Sequence, residues 1–198
     1  MQQKEVFTIG HSTHSLETFI NLLKQHGIQI VVDVRSYPYS KHVPQFNASN
    51  LPRALTVAGI KYSFMGQELG GRPKGSQFYD DDGHVLYSQI AKTPAFTQGI
   101  SQLEDGLEKS RIAIMCSEED PTVCHRWLLV GRVLREHGVQ VKNIRGDGRI
   151  QTETAFADGR HSRDGGMQVS LFPEQEVDEW KSIRSVFHKS QPKPSSVP

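Results

Sequence analysis

The fold is decided by the stretch EVFTIGHSTHSLETFINLLKQHGIQIVVDV, which spans residues 5–34. Its first six residues are rich in β-branched and aromatic side chains, as expected of a strand. Ser15 is a good helix N-cap and Gly27 suits a helix end. Between them lies an apolar stripe at helical spacing, formed by Leu16, Phe19, Ile20 and Leu23. Residues 28–34 are an almost continuous apolar run, typical of a strand buried on both faces of a parallel sheet. The stretch therefore predicts a β-α-β unit.

The rest of the chain continues this alternation. Further strands are predicted at residues 60–64, 111–116 and 139–144, and helices at residues 50–58, 85–91, 95–109 and 121–137. Strands that alternate with helices form a mostly parallel sheet. We therefore predict a single α/β domain at residues 5–150, with helices on both faces of the sheet in Rossmann-like layering. Residues 151–190 are predicted to be an irregular, loop-rich extension with one helix at 174–186, and residues 191–198 a disordered tail.

Composition excludes several functional classes. The formal net charge is +1, so any contact with nucleic acid must come from a local basic patch. No apolar run approaches the roughly 20 residues of a membrane span, and the N-terminus does not resemble a secretory signal. The two cysteines, Cys116 and Cys124, are too few for a disulfide scaffold. We therefore expect a cytoplasmic protein that makes no membrane contact and whose cysteines are reduced thiols, ligands or nucleophiles.

Polar and titratable residues follow nearly every predicted strand. They include His11 and Ser12 after the first strand, Asp33 and Arg35 at the end of the second, the loop Gly70-Gly71-Arg72 after the third, and Cys116 and Glu118 after the fourth. In open parallel sheets, ligands bind beyond the carboxyl ends of the strands. We therefore predict an active site there, with His11, Asp33, Arg35, Cys116 and Glu118 lining one concavity.

The segment Cys116-Ser-Glu-Glu-Asp-Pro-Thr-Val-Cys-His-Arg126 is the strongest local feature, and four interpretations compete for it. Cys116, Glu118, Cys124 and His125 could bind a metal, although their spacing matches no common zinc pattern. The two thiols could form a regulatory disulfide, or could be small buried hydrophobic groups. The interpretation that we favour makes Glu118 the acid, base or nucleophile, with His125 and Arg126 binding an anion at a helix start.

Several of these motifs together resemble a known family. They are Thr8-Ile-Gly-His-Ser12, Val32-Asp-Val-Arg-Ser36, Leu69-Gly-Gly-Arg72, and Cys116-Ser-Glu118 leading to Cys124-His-Arg126. In this combination the chain resembles the bacterial and archaeal domain-of-unknown-function family 488 (DUF488) over about residues 5–150. The resemblance implies a compact α/β domain. It implies no reaction, because the family has none assigned.

Residues 168–172, Gln-Val-Ser-Leu-Phe, point to a partner outside the fold. They look like the short peptides by which bacterial repair and replication proteins dock on the DNA sliding clamp. In such a peptide Leu171 and Phe172 would enter an apolar pocket, while Gln168 would make polar contacts. The alternative is that Leu171 and Phe172 pack against their own domain.

Our first hypothesis from the sequence is an enzyme that acts on nucleic acid or a nucleotide, at a sugar–base bond or on a base. Its catalytic residues would be Glu118, Asp33, His11 and Cys116. Its substrate and phosphate would be bound by Ser12, Arg35, Gly70, Gly71, Arg72, Cys124, His125 and Arg126. We assign no cofactor, because the glycines of a dinucleotide site are missing after Gly10. The alternatives are a thiol or metal redox sensor built on Cys116 and Cys124, and a non-catalytic nucleotide-binding adaptor.

Overall fold

The computed structural model describes residues 4–152 and 180–186. Its strands are β1 (Glu5–Gly10), β2 (Ile30–Asp33), β3 (Lys61–Phe64), β4 (Ile112–Cys116), β5 (Gln140–Ile144) and β6 (Ile150–Gln151). Its α-helices are α1 (Leu16–Gln25), α2 (Leu51–Val57), α3 (Tyr87–Ile90), α4 (Pro94–Leu107) and α5 (Arg132–Glu136). Short 3₁₀ turns lie at Pro44–Phe46, Ser76–Phe78 and Pro121–Val123. Among these helices, none combines the length and the apolar composition that crossing a membrane requires.

The strands of the described part form one sheet in the order β3-β2-β4-β1-β5-β6. Strands β1 to β5 run parallel, and β6 pairs antiparallel with β5. The predicted α/β fold with a mostly parallel sheet is confirmed, as is each of the five predicted strands. The sixth strand was not predicted, because two residues are too few to carry a periodic pattern.

Two crossover connections run in opposite directions along the order of the strands in the sheet. The connection from β1 to β2 passes β4, and the connection from β4 to β5 passes β1. Right-handed crossovers that run in opposite directions must lie on opposite faces. Accordingly, α1 and α2 pack on one face through residues such as Phe19 and Leu55, while α4 and α5 pack on the other through Phe96 and Leu134. The connections diverge at the carboxyl ends of β1 and β4, which is where such sheets bind ligands.

The prediction of one continuous helix over residues 121–137 is wrong. The chain forms a 3₁₀ turn at Pro121–Val123, is extended at Cys124 with φ −118° and ψ 140°, and then winds as a π-helix over Arg126–Gly131 before α5 begins. The backbone carbonyl of Cys124 accepts the first hydrogen bonds of this helical segment, from Trp127 and Leu128 at 3.0 Å. Cys124 therefore precedes the helix and does not lie within its first turn.

The last described residues, 180–186, also differ from the prediction, because they are not helical. Ser182 exchanges hydrogen bonds with Val85, and the backbone carbonyl of Trp180 accepts one from Ser88. The Trp180 indole N–H donates to the carbonyl of Leu128 at 2.7 Å. These residues therefore pack on the α/β domain, next to the ends of the strands.

Gly10, the last residue of β1, makes a close backbone contact that this region of the structure requires. It pairs with Cys116 of β4, and the chain following Cys116 crosses directly above it. A Cβ atom at position 10 would lie 1.7 Å from the carbonyl oxygen of Glu118. Only glycine lets the loop of residues 117–119 lie against the end of β1 in this way.

We predict that Gly10→Ala lowers the free energy of unfolding by more than about 3 kcal/mol, because backbone must move to admit the methyl group. Urea denaturation measures this change. Gly106→Ala in α4 is the matched control, since its added Cβ would meet only the flexible end of Ile112 at 2.9 Å. Equal stability of the two variants would show that the loop does not need its contact with Gly10.

Candidate functional site

A cavity of about 270 Å³ lies at the carboxyl ends of β2 and β4. Its floor contains Cys116, Glu118, Cys124 and His125. Its rim includes Arg72 from the loop after β3, Tyr37 from the loop after β2, and Arg184 from the last described segment. The strand ends thus bring together a carboxylate, two thiols, an imidazole and several arginines.

The thiols, the imidazole and the carboxylate form one contiguous cluster. The Cys116 thiol donates to Oε2 of Glu118 at 3.0 Å. Nδ1 of His125 lies 3.6 Å from Sγ of Cys116 and 3.9 Å from Sγ of Cys124. The two Sγ atoms and Nδ1 all lie within 4.8 Å of one another. Both cysteines are free and buried. These residues are the part of the site with atoms suited to hold a metal.

His125 is held in one orientation by two neighbours. Its Nε2 lies 2.9 Å from the carbonyl oxygen of Val34. A carbonyl can only accept, so Nε2 carries the proton and Nδ1 faces the sulfurs. Gly71 packs against the ring, because a Cβ there would lie 2.5 Å from Cγ of His125. Gly71 lines the cavity, where the prediction placed it, and its position also explains how the imidazole is fixed.

The protonation of the cluster is strongly coupled. Burial alone would raise the pKa of Cys124, but hydrogen bonds from Cys116 and His125 outweigh it and lower that pKa to about 5. The bond to Cys124 and burial raise the pKa of Cys116 well above its usual range. Burial opposes the charge of Glu118, yet hydrogen bonds led by the Cys116 thiol lower its pKa to about 2. At neutral pH the cluster thus contains anionic groups in a buried site.

Arg126 does not face the cavity. Its side chain is fully buried, and its guanidinium donates to the backbone carbonyls of Glu118 and Glu119 and to the hydroxyl of Thr8. Its donors are occupied by the protein itself, so the predicted role as a phosphate ligand does not fit this geometry. Arg126 instead holds the loop that carries Glu118.

Asp33 is also turned away from the cavity. It is fully buried, and its two carboxylate oxygens accept from Nε and Nη2 of Arg35 at 2.9 and 2.7 Å. The Tyr62 hydroxyl donates to the same carboxylate at 2.8 Å. The predicted catalytic role of Asp33 therefore does not fit its position. The bidentate pair orients Arg35, which does line the cavity.

His11 completes this buried network and has no free ring nitrogen. Its Nδ1 lies 2.9 Å from the carbonyl oxygen of Ser12 and its Nε2 lies 3.1 Å from Nη1 of Arg35. The ring also stacks on Phe46, with centroids 4.4 Å apart. A neutral imidazole that donates from Nδ1 and accepts at Nε2 satisfies both contacts. His11 therefore supports Arg35, and the structure places it outside the lining of the cavity, contrary to the predicted concavity.

Of the remaining predicted residues, some support the loops around the cavity and others line the cavity itself. The backbone N–H of Ser12 donates to the carbonyl of Ser117 at 2.9 Å, and Ser12 has an unusual φ of 46°, so it fixes the loop. Gly70 packs closely on the carbonyl of Gly66. Arg72 lines the cavity with an exposed side chain, and its backbone N–H donates to the Ser36 hydroxyl at 2.9 Å.

Several residues of the site were missed by the sequence analysis. Tyr37, Tyr87 and Arg184 line the cavity, and Tyr62 completes the Asp33–Arg35 pair. Tyr37 directly follows the strand-end motif and so had a detectable signal. Arg184 had none, because it reaches the site through long-range packing of residues 180–186. Gln168, Leu171 and Phe172 lie outside the described residues, so docking on the sliding clamp stays a prediction.

The buried His11 gives a prediction for stability against pH. Burial, with help from the charge of Arg35, lowers the pKa of His11 from 6.5 to about 4. Between these values the unfolded chain binds a proton at this residue that the folded chain does not, so acidification destabilises the fold. From pH 7 to pH 5 this residue removes about 2 kcal/mol from the free energy of unfolding. His11→Gln should remove that part of the loss in urea denaturation.

The control for this measurement is His42→Gln, which changes an exposed histidine. It should keep the pH dependence of the wild-type chain. If His11→Gln also keeps it, His11 is not a neutral buried group in the folded protein.

Comparison with known proteins adds one finding. Residues 15–133 match the family described as Domain of unknown function DUF488. The chain gave no match to curated proteins or to solved structures. The matched span is more than half of the 198 residues and includes Asp33, Arg72 and the whole cluster from Cys116 to His125. The chain therefore belongs to the DUF488 family.

Proposed function

We propose that this protein is an enzyme that acts on a nucleotide or on a nucleic-acid strand, with the reacting bond placed above Glu118. One observation carries the proposal: a single cavity combines reactive side chains on its floor with cationic and aromatic side chains on its rim. Such a combination suits a substrate that has a phosphate, a flat ring and a bond to be cleaved or modified.

The floor supplies the reactive groups. Glu118 is a partly buried carboxylate in contact with the Cys116 thiol, and it lines the cavity. Arg126 holds the backbone of Glu118 in place, so the carboxylate is presented from a fixed loop. Pre-positioned carboxylates of this kind serve as acid, base or nucleophile at sugar–base bonds and on bases. Glu118 is therefore the reacting residue of the proposal.

The rim supplies positive charge. Arg72 and Arg184 both line the cavity with exposed side chains. Within the described residues, neither guanidinium forms an ion pair that would neutralise it. An arginine fork binds phosphate oxygens with good geometry. We therefore assign these two arginines to a phosphate of the substrate.

Tyr37 supplies a flat apolar surface at the same rim. Tyr37 is 65% exposed, so its ring is accessible to a ligand at the rim. Tyr37, Ser36 and Arg72 also border a second cavity of about 620 Å³, so the two cavities adjoin at these residues. A base stacked on Tyr37 would lie between them, and a strand longer than one nucleotide could continue into the second cavity.

The first test is binding of a fluorescently labelled single-stranded oligonucleotide, followed by anisotropy. Tyr37→Ala should raise Kd roughly 5- to 150-fold, because stacking of one base contributes about 1–3 kcal/mol. Tyr37→Phe keeps the ring and should leave Kd within about two-fold of wild type. Arg72→Gln should weaken binding and lower the slope of log Kd against log salt concentration by about 1.

Arg53→Gln is the control for the lost charge, because Arg53 is an exposed residue of α2 outside both cavities. This variant should keep Kd within about two-fold of wild type. It should also keep the wild-type slope of log Kd against log salt concentration. Wild-type affinity in both Tyr37→Ala and Arg72→Gln would remove the basis for a nucleotide or nucleic-acid substrate.

The second test is turnover. A panel of labelled nucleotides and oligonucleotides is incubated with the protein, and the products are identified by mass spectrometry. Glu118→Gln should lower kcat about 10²- to 10⁴-fold on any substrate that is turned over. Glu136→Gln, which changes an exposed carboxylate paired with Arg132, should retain wild-type kcat. Undiminished turnover by Glu118→Gln would exclude Glu118 as the reacting residue.

A further inference from the structure

We propose that Cys116, Cys124 and His125 bind one zinc ion, with the fourth coordination position open to the cavity beside Glu118. The spacing of these residues along the chain fits no common zinc motif, so the proposal depends on their placement in space. Binding of the ion is independent of the proposed function. Only the role that is given to Glu118 below depends on the proposed function.

The three ligand atoms lie near the distances that a tetrahedral zinc site requires. With Zn–S bonds of about 2.3 Å and Zn–N bonds of about 2.0–2.1 Å, neighbouring ligand atoms are about 3.6–3.8 Å apart. Nδ1 of His125 is 3.6 Å from Sγ of Cys116 and 3.9 Å from Sγ of Cys124. The two sulfurs are no more than 4.8 Å apart. Side-chain adjustments of a fraction of an ångström to about an ångström suffice to close the site.

The imidazole has the support that a metal ligand has. Histidines that bind metals almost always donate their other ring N–H to a carbonyl or a carboxylate, which fixes the ring and its tautomer. Nε2 of His125 makes this bond to the Val34 carbonyl at 2.9 Å. Gly71 packs on the other side of the ring. Nδ1 is therefore aimed at the two sulfurs before any ion arrives.

The donor set selects the class of ion. Two thiolates and one imidazole are soft and borderline ligands, which favour zinc over magnesium or calcium. Within residues 4–152 and 180–186, this is the one group of three or more histidine, cysteine and carboxylate side chains whose ligand atoms converge so closely. Both thiols are buried, so an ion bound here would be protected from solvent on all sides except that of the cavity.

An open fourth position would give the proposed enzyme its nucleophile. Zinc held by three protein ligands lowers the pKa of a bound water to about 7. Glu118 lies beside the ligand Cys116, so its carboxylate can accept one proton from that water. The oxygen then forms a bond to the electrophilic atom of the substrate, the bond to the leaving group breaks, and the proton passes to the leaving group. The net reaction consumes one water, and no oxidant or reductant is involved.

The test is a titration of the full-length chain, first freed of metal with a chelator and a reductant, with cobalt(II) and then zinc(II). Cobalt should bind at one ion per chain and produce thiolate-to-cobalt charge-transfer absorption together with the visible bands of a tetrahedral ion. Zinc should displace it. Cys116→Ser, Cys124→Ser and His125→Ala should each weaken zinc binding by at least about 100-fold, a larger effect than the loss of an outer hydrogen-bond partner.

His42→Gln is the matched control and should bind zinc as the wild type does, since His42 is exposed and distant in sequence from the cluster. Absence of charge-transfer absorption from the reduced wild-type chain would overturn the proposal, and this result does not depend on any variant folding. Formation of a Cys116–Cys124 disulfide in preference to metal binding would also overturn the proposal. Unchanged zinc affinity in a folded Cys124→Ser variant would do the same.

Metal binding and the proposed function can fail separately. Stoichiometric zinc without turnover of any nucleotide or oligonucleotide supports the site and contradicts the proposed function. Full turnover by the metal-free chain contradicts the catalytic role given to zinc and leaves the proposed function standing, whereas the titration alone decides whether the zinc site exists.

Discussion

The structure of the site depends on one buried cation, the guanidinium of Arg126. It has no exposed surface, and it donates hydrogen bonds to the carbonyls of Glu118 and Glu119 and to the hydroxyl of Thr8. Thr8 in turn bonds to Asn143 at 2.7 Å, and Asn143 bonds to the carbonyl of Gln151. A buried charge without its partners costs several kcal/mol, so the fold is stable only when the loop of residues 117–119 lies across the end of β1. This loop position fixes Glu118 and, through it, the contact with Cys116.

A second buried pair does the same for the neighbouring strand. Asp33 neutralises Arg35, and the Tyr62 hydroxyl and the Phe46 carbonyl complete the hydrogen bonds of the two groups. His11 accepts from the remaining side of Arg35 and stays neutral. Fully satisfied networks of this type are rigid, whereas partly satisfied ones are costly. The polar residues after β1 and β2 therefore form a rigid network beneath the side chains that line the cavity.

Local sequence was sufficient for the strands but not for their order. Buried parallel strands are apolar on both faces, as at Ile112–Met115, and so they are conspicuous in the sequence. The insertion of β4 between β1 and β2 follows from long-range packing, which no local pattern records. The break at Cys124 has the same origin, because the contacts of His125 with Val34 and of Arg126 with the loop override a good local helix signal. The π-helix that follows is a form often found at functional sites.

For the site, sequence predicted which residues gather but not which of them face the cavity. Asp33 is buried inside the protein, whereas the carbonyl of the next residue, Val34, contacts His125 at the cavity. The donor set on the floor of the cavity is the reason that we propose a divalent ion there. Two thiolates and one neutral imidazole carry a charge of −2, and Zn²⁺ would cancel it, so the proposed ion would leave the buried cluster without net charge.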